Sequence, residues 1–553
     1  MNPILKSIVT TLAILAVSSV MLFLPYDQMG LALNPVQIRV VAMFVFAALM
    51  WILEPIPVWA TSVLLIQLCL FTASDQSLPP FKEPHIDKAA LTQVIQNAAL
   101  DAPADKVLAV TEKSFGILNK MTKTTPDNIQ VTVAEEFHLA DMPDAATAIH
   151  TPEMHAAIEA IPCVNVMQYK NLLATFADPI IILFLGGFFL AAAATKYQLD
   201  INLANVMLRP FGDKPRNVML GLMTITAVFA MFMSNTATTA MMIALVAPVL
   251  AIFKDSDRGR IGFALCIPAA ANIGGMGTPI GTPPNAIALK VMQDIGLDIS
   301  FGKWMMMGVP FVILMVLIAW VLLLKLYPCE QKEIKLRVKG IGFIKSAQAY
   351  VVYTTFIVTI ALWVMGSGVH GLNSNVIAFI PITVFCVTGV ITEKDLSAMN
   401  WSVLWLVAGG FALGQALQDT GLAADLIGAI PFETWSIVGL LIGAGFICMF
   451  MSTFMSNTAT ANLLLPILAS LAGVMMGAGI ITQGWALGLL VGIALSASMG
   501  MALPISTPPN ALAYATGMIK TKDMAISGTI LCTIGFALAC TMVVVLLHMG
   551  FFG

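Results

Sequence analysis

The sequence is poor in charge. Only 10% of its 553 residues are Asp, Glu, Lys or Arg, against about 25% in an ordinary soluble domain, which excludes a string of soluble domains. The net charge is −3, and nothing suggests a nucleic-acid partner, which would need a strongly basic face. There is no CxxC pair among the eight cysteines (Cys69, Cys163, Cys266, Cys329, Cys386, Cys448, Cys532 and Cys540). Neither a disulfide framework nor a zinc site is therefore indicated, and buried thiols acting as small hydrophobes are expected. The apolar runs contain no nucleophile–base pair, phosphate loop or metal-ligand cluster, so an enzyme is not expected.

What is present is apolar: 59% of the residues are hydrophobic. They fall in runs of about 18 to 25, long enough to cross a hydrocarbon core roughly 30 Å thick as helices. The spans read as 7–24, 36–53, 57–72, 176–195, 261–292, 304–326, 347–365, 375–391, 400–418, 483–518 and 524–549. This is an all-α polytopic membrane protein of about 11 spans. The first run lacks an A-x-A-like cleavage site and reads as a retained span rather than a signal peptide. Stretches 217–253 and 436–470 are too long for one crossing and polar at their centres; both read as re-entrant hairpins.

With the N-terminus inside, segments 1–6, 196–216, 254–260, 325–346, 392–399 and 519–523 are cytoplasmic and hold 17 of the 27 Lys and Arg. The positive-inside rule then places the C-terminus outside. Residues 73–175 form an extracytoplasmic insertion with 7 Lys, 13 Asp or Glu and four of the six histidines, His85, His138, His150 and His155. Segments 86–121 and 144–160 look helical there. The i,i+5 spacing of His150 and His155 and the intervening Pro152 do not put both rings on one helical face, so a solvated cap is expected rather than a metal site.

An internal repeat carries the chemistry. Met233-Ser-Asn-Thr-Ala-Thr238 recurs as Met455-Ser-Asn-Thr-Ala-Thr460, Leu185-Gly-Gly-Phe188 as Ala408-Gly-Gly-Phe411, and Thr282-Pro-Pro-Asn-Ala286 as Thr507-Pro-Pro-Asn-Ala511. The offsets are 222, 223 and 225. Each unit holds an odd number of crossings plus a hairpin, so the second copy must be inverted. Inverted repeats with broken helices and a midplane site are the mark of secondary transporters. The Gly- and Pro-rich runs 274–284 and 500–509 interrupt their helices, and unwound backbone at membrane depth needs protein or a wet cavity to satisfy it.

Residues 434–519 contain no Asp, Glu, Lys, Arg or His, and neither do 217–253 or 261–289. A proton relay or an Arg-lined anion pore would place ionisable groups there. Neutral carbonyl and hydroxyl oxygens suit Na⁺, and Asn or Thr donors with half-helix N-termini suit an oxyanion. Small residues and Asn also serve plain helix packing. A single SNT motif would not separate the two readings; two copies, each followed by a broken TPPN segment, favour a site.

Over 1–72 and 171–553 the chain resembles the divalent-anion/sodium symporter family, the solute-carrier-13 type of di- and tricarboxylate or sulfate transporters. The paired SNT and TPPN motifs carry that resemblance, and Trp51-Ile-Leu-Glu-Pro-Ile-Pro57 adds to it. It implies a homodimer in a lipid bilayer, each protomer a scaffold plus an elevator-type transport domain. On that pattern 1–72 are the first scaffold spans and 73–175 the insertion. The rest of repeat 1 is 176–326, with its scaffold span, hairpin and broken helix. A cytoplasmic linker at 327–346, scaffold spans at 347–418, and the second hairpin, broken helix and last span at 419–553 follow.

The resemblance also implies a sodium between Ser234, Asn235 and Gly281, and a second between Ser452, Met455, Asn457 and Ser506. It implies substrate held by Asn235, Thr236, Thr282, Asn457 and Thr458, with Thr507 and Pro508 as further candidates. Ala230 is a departure: the matching second-copy residue is Ser452, and sodium-coupled relatives often have a hydroxyl there. The expected function is Na⁺-coupled uptake of a small dianion, a C4-dicarboxylate such as succinate first, in a bacterial inner membrane. A dicarboxylate or citrate exchanger and a sulfate transporter are the alternatives of the same fold. An anion channel, or a receptor using the insertion, is the alternative of another class.

Overall fold

The computed structural model describes residues 3–29, 31–83, 86, 88–98, 104–118, 128–129, 131–132, 157–158, 161, 164–250, 253–254, 257–334, 342–428 and 436–553. Among these, regular structure is helical, with one isolated β-bridge between Ser74 and Met167. Among the described residues nine helices are long and apolar enough to cross a membrane, and four shorter apolar helices accompany them.

The chain forms two compact units: Met1–Leu49 with Val63–Thr175 and Ala412–Ile430, and Met50–Ser62 with Phe176–Phe411 and Pro431–Gly553. In the first, Gln37 donates to the Thr420 carbonyl at 3.0 Å and to Asp425 Oδ2 at 2.5 Å, tying segments far apart in sequence. Within the insertion, helices Lys88–Ala98 and Ala104–Leu118 pack together. They bury Leu91, Ile95, Val107 and Val110 with Ile158 and Ile161, so this segment has an apolar core of its own. The four insertion histidines, Cys163 and Pro152 lie outside the described residues.

In the second unit each hairpin motif is a pair of helices interrupted for two residues. Pro215–Phe232 and Asn235–Leu250 flank Met233–Ser234; Ile437–Phe454 and Asn457–Gly477 flank Met455–Ser456. Met233 and Met455 are extended, with φ −125° and −131°. The arms of each pair contact one another. The expected spans 261–292 and 483–518 are each two helices: Gly259–Gly275 with Pro283–Asp294, and Gln483–Ser498 with Pro508–Ala515. Pro283 and Pro508 stand at the first helical position, where the missing N–H costs nothing.

Two expectations shift. Segment 196–216, read as a connection, contains the helix Leu199–Leu208 with Asp200 and Asn202 buried. Span 375–391 is two short helices, Ser374–Ile377 and Phe379–Val387. A Cβ at Gly186 would meet the Ala378 carbonyl oxygen at 2.5 Å, so that junction needs a bare glycine opposite it. Of the described cysteines five are buried, but Cys386 is exposed and Cys329 half-buried.

Candidate functional site

The unwound segments are held by the same clamp in both halves. Asn285 Nδ2 donates to the Thr278 carbonyl at 2.9 Å and lies within 3.4 Å of those of Gly275 and Met276. Asn510 Nδ2 donates to the carbonyls of Met501 and Leu503 at 2.8 and 2.9 Å. Positions 276 and 278 become 501 and 503 at the repeat offset of 225. The TPPN asparagine thus adds a side-chain donor to the carbonyls of the broken segment; those of Thr278 and Leu503 also accept turn bonds from the Gly281 and Ser506 amides, at 3.3 and 3.1 Å.

Each clamped segment rests on a hairpin tip. A Cβ at Gly275 would stand 2.9 Å from the Gly281 carbonyl oxygen and 3.0 Å from Asn235 Oδ1. A Cβ at Gly500, the equivalent position, would stand 2.6 Å from Ser452 Oγ. Only glycine allows these approaches.

The tips and breaks line one cavity of about 360 Å³. Of the expected site residues, Ser234, Asn235, Thr236, Gly281, Thr282, Asn457, Thr458, Ser506, Thr507 and Pro508 line it. Ser452 and Met455 do not; both are buried. Among the described residues no charged side chain is in the lining. Four helices begin at it, with first residues Asn235, Pro283, Asn457 and Pro508. Each N-terminus carries about half a positive charge, so their convergence favours an anion without any Lys or Arg.

Beside the anion-favouring N-termini lie oxygen sets that fit a hard cation. Asn235 Oδ1 is buried with no hydrogen-bond partner, and the Gly281 carbonyl converges on the same small space. In the other half Ser452 Oγ lies 2.7 Å from Asn457 Oδ1 and 2.5 Å from the Ala497 carbonyl oxygen. One hydroxyl proton can satisfy only one of those acceptors. Ser506 Oγ donates to the Thr453 carbonyl at 2.6 Å and accepts from the Leu503 amide at 3.0 Å, which leaves one lone pair for a further contact.

Asn272 also lines the cavity and was not singled out from the sequence. Its one signal is a lone amide in the charge-free stretch 261–289, two residues before Gly274-Gly275. Asn400, Ser402 and Ser456 line the cavity too. Asn400 and Ser402 stand where a span begins and have no motif around them.

An apolar chain, helical in its described residues, with a cavity where amides, hydroxyls and four helix N-termini meet apolar side chains such as Phe184, Phe188 and Leu406 falls in the class of membrane solute transporters. The citrate transporter (CitMHS) family model matches residues 146–489, and the chain belongs to that family. It is an integral-membrane secondary transporter, not an enzyme. An "uncharacterized transporter" of Haemophilus influenzae is 33% identical over 426 residues, covering 73% of this chain and 86% of that protein. The sodium-dependent dicarboxylate transporter SdcS of Staphylococcus aureus (strain USA300) is 32% identical over 430 residues, covering 70% and 79%. Its namesake in Staphylococcus saprophyticus is 31% identical over 408 residues, covering 66% and 76%. The crystal structure of the Alcanivorax borkumensis YdaH transporter aligns at 12% identity with a TM-score of 0.48, over 71% of this chain and 92% of that one. That score is below the level at which a shared fold follows.

Proposed function

We propose that the chain takes up a small divalent anion, a C4-dicarboxylate such as succinate first, coupled to Na⁺ entry. The observation that carries this is the charge-free cavity, where four helix N-termini meet beside two oxygen sets suited to a cation. A dianion there needs positive charge from somewhere. With no basic residue in the lining, cotransported sodium is the economical source. Relatives named sodium-dependent dicarboxylate transporters support the same reading.

In this reading Ser234, Asn235 and Gly281 hold one sodium, and Ser452, Met455, Asn457 and Ser506 a second. Asn235, Thr236, Thr282, Asn457, Thr458, Thr507 and Pro508 face the anion. The hairpins and broken helices are inverted copies that move together against scaffold spans in an elevator-like step, within a homodimer. The N-terminus is cytoplasmic, and the C-terminus and residues 73–175 are outside a bacterial inner membrane. Every net positive charge carried inward gains about 2.3 kcal/mol per 100 mV, so sodium in excess of the anion's charge makes uptake electrogenic.

The test is labelled-succinate uptake into proteoliposomes under an imposed Na⁺ gradient. Saturable, Na⁺-driven accumulation is expected. Uptake that ignores Na⁺ but needs an internal dicarboxylate would overturn symport in favour of exchange, the second reading, which the alanine at position 230 favours. Non-saturating flux would indicate a channel.

A further inference from the structure

The amide of Asn272 sits in a hydrogen-bond relay whose direction is set step by step. Asn510 spends both amide protons on the carbonyls of Met501 and Leu503, so its Oδ1 is the atom left facing away from them. That oxygen lies 3.0 Å from Asn272 Nδ2. Two amide oxygens would not face each other at this distance, so the group Asn272 presents there must be its nitrogen. The second proton of Asn272 Nδ2 reaches Thr507 Oγ1 at 3.1 Å. The same Oγ1 caps the helix Pro508–Ala515, accepting from the Asn510 amide at 3.3 Å.

Both lone pairs of the Thr507 hydroxyl are then taken. What remains is its proton, and Thr507 is a lining residue of the cavity. The first half differs. Thr282 accepts no capping bond from its own helix, and the position equivalent to Asn272 at the offset of 225 is Ala497. Asn285 Oδ1, which lacks the partner that Asn272 gives Asn510, is buried and unpartnered.

We infer that Asn272 is a positioning residue that makes the Thr507 hydroxyl an obligate proton donor to a carboxylate or other oxyanion in the cavity. Thr282, which keeps its lone pairs, can serve either an anion or a cation; Thr507 serves an anion alone. The inference rests on the reading of the cavity as a dianion site. It adds a direction to that site: one end of the substrate is met by a hydroxyl that cannot turn its oxygen toward it.

The experiment is calorimetric binding of succinate to the purified full-length protein at saturating Na⁺, for the wild type, Thr507→Ser, Thr507→Val, Asn272→Ala and the Asn272→Ala/Thr507→Val double variant. Na⁺-dependent thermal shifts without anion are measured in parallel. Thr507→Ser should bind within about threefold of wild type. Thr507→Val should lose roughly 10- to 100-fold, the worth of one hydrogen bond to a charged acceptor. Asn272→Ala should lose several-fold, with little further loss from adding it to Thr507→Val, because it acts through that hydroxyl.

The Na⁺-dependent shift should persist in every variant, which a general packing defect would not allow. Wild-type binding of succinate together with unimpaired binding by Thr507→Val would overturn the inference, as would fully additive losses or a lost Na⁺ response in Asn272→Ala. Failure of the wild type to bind succinate, citrate or sulfate with Na⁺ would instead overturn the dianion reading itself.

Discussion

Ser452 Oγ stands 2.7 Å from Asn457 Oδ1 across the second hairpin tip, while in the first half the equivalent pair is Ala230 and Asn235. Asn235 Oδ1 accordingly has no partner. The two halves share a backbone plan and differ at the atoms that would hold a cation.

Ser452→Ala removes one oxygen from the second set and leaves the Asn457 amide oxygen without its neighbour. The half-saturating Na⁺ concentration for succinate uptake should rise about tenfold, the worth of one hydrogen bond to a charged group. Ala230→Ser should lower it by supplying the missing oxygen. Initial rates against Na⁺ concentration check both, and an unchanged Na⁺ curve in Ser452→Ala would sink the second sodium assignment.

The TPPN clamps predict a ranked loss of stability. A buried carbonyl left without its donor costs about 1–3 kcal/mol. Asn510→Ala takes the side-chain donor from the Met501 carbonyl and one of two donors from the Leu503 carbonyl, which keeps the Ser506 amide. It also frees the Asn272 amide, whereas the Oδ1 of Asn285 has no such bond to lose. Thermal unfolding in detergent should therefore show Asn510→Ala the less stable of the two alanine variants; equal or reversed midpoints would contradict the clamp.

The second glycine of each repeated pair faces a site-bearing element, Gly410 the second hairpin and Gly187 the first unwound segment. A methyl at Gly410 would overlap the carboxamide of Asn462, which donates to the Leu406 carbonyl at 3.0 Å. A methyl at Gly187 would meet the Ile280 side chain alone, its terminal carbon at 3.3 Å and its Cβ at 3.9 Å. Gly410→Ala should abolish uptake and Gly187→Ala should be tolerated. Asn462→Ala, by removing the obstructing atoms, should restore uptake to the Gly410→Ala variant; no rescue would show that the contact is not the cause.

A surface ion pair gives the expected pH response. Lys196 Nζ lies 2.5 Å from Asp395 Oδ2, and this hydrogen bond holds the Asp395 carboxyl down at about 2. A depressed acid contributes stability above its unfolded value near 4, and that contribution fades as pH falls through the folded value. The two side chains are about 35% and 26% exposed, so screening limits the effect to below about 1 kcal/mol. The melting-temperature gap between wild type and Asp395→Asn should be flat from pH 5 to 8 and close between pH 4 and 2. A gap that widened in acid would refute the sign.

Much of the helical plan was legible locally. Pro283, Pro508 and the polar Ser-Asn-Thr pairs mark the breaks because proline cannot continue a helix and a polar tip interrupts an apolar run. The ends of Ala347–Met365 and Trp401–Asp419 fall within about one residue of the hydropathy reading. The helix Leu199–Leu208 escaped because Asp200 and Asn202 look like loop residues until their partners are seen. Asp200 accepts from Thr195 Oγ1 at 2.9 Å, and Asn202 donates to the Gln198 and Gly342 carbonyls. Ser452 and Met455 were grouped with the site by motif, yet they lie behind the cavity wall, a matter of depth that linear spacing does not carry.

By itself the sequence determined that this chain is a helical membrane protein with a doubled pair of broken motifs and a charge-free centre. Those properties follow from composition and from the backbone limits of proline and glycine, which act over a few residues. That Asn272 and Thr507, 235 residues apart, share a hydrogen bond, and that the four helix N-termini open on one cavity, follows from the packing of distant helices and is not written in any local pattern. Hydrogen bonds act over about 3 Å, and which amide meets which hydroxyl depends on how distant helices pack.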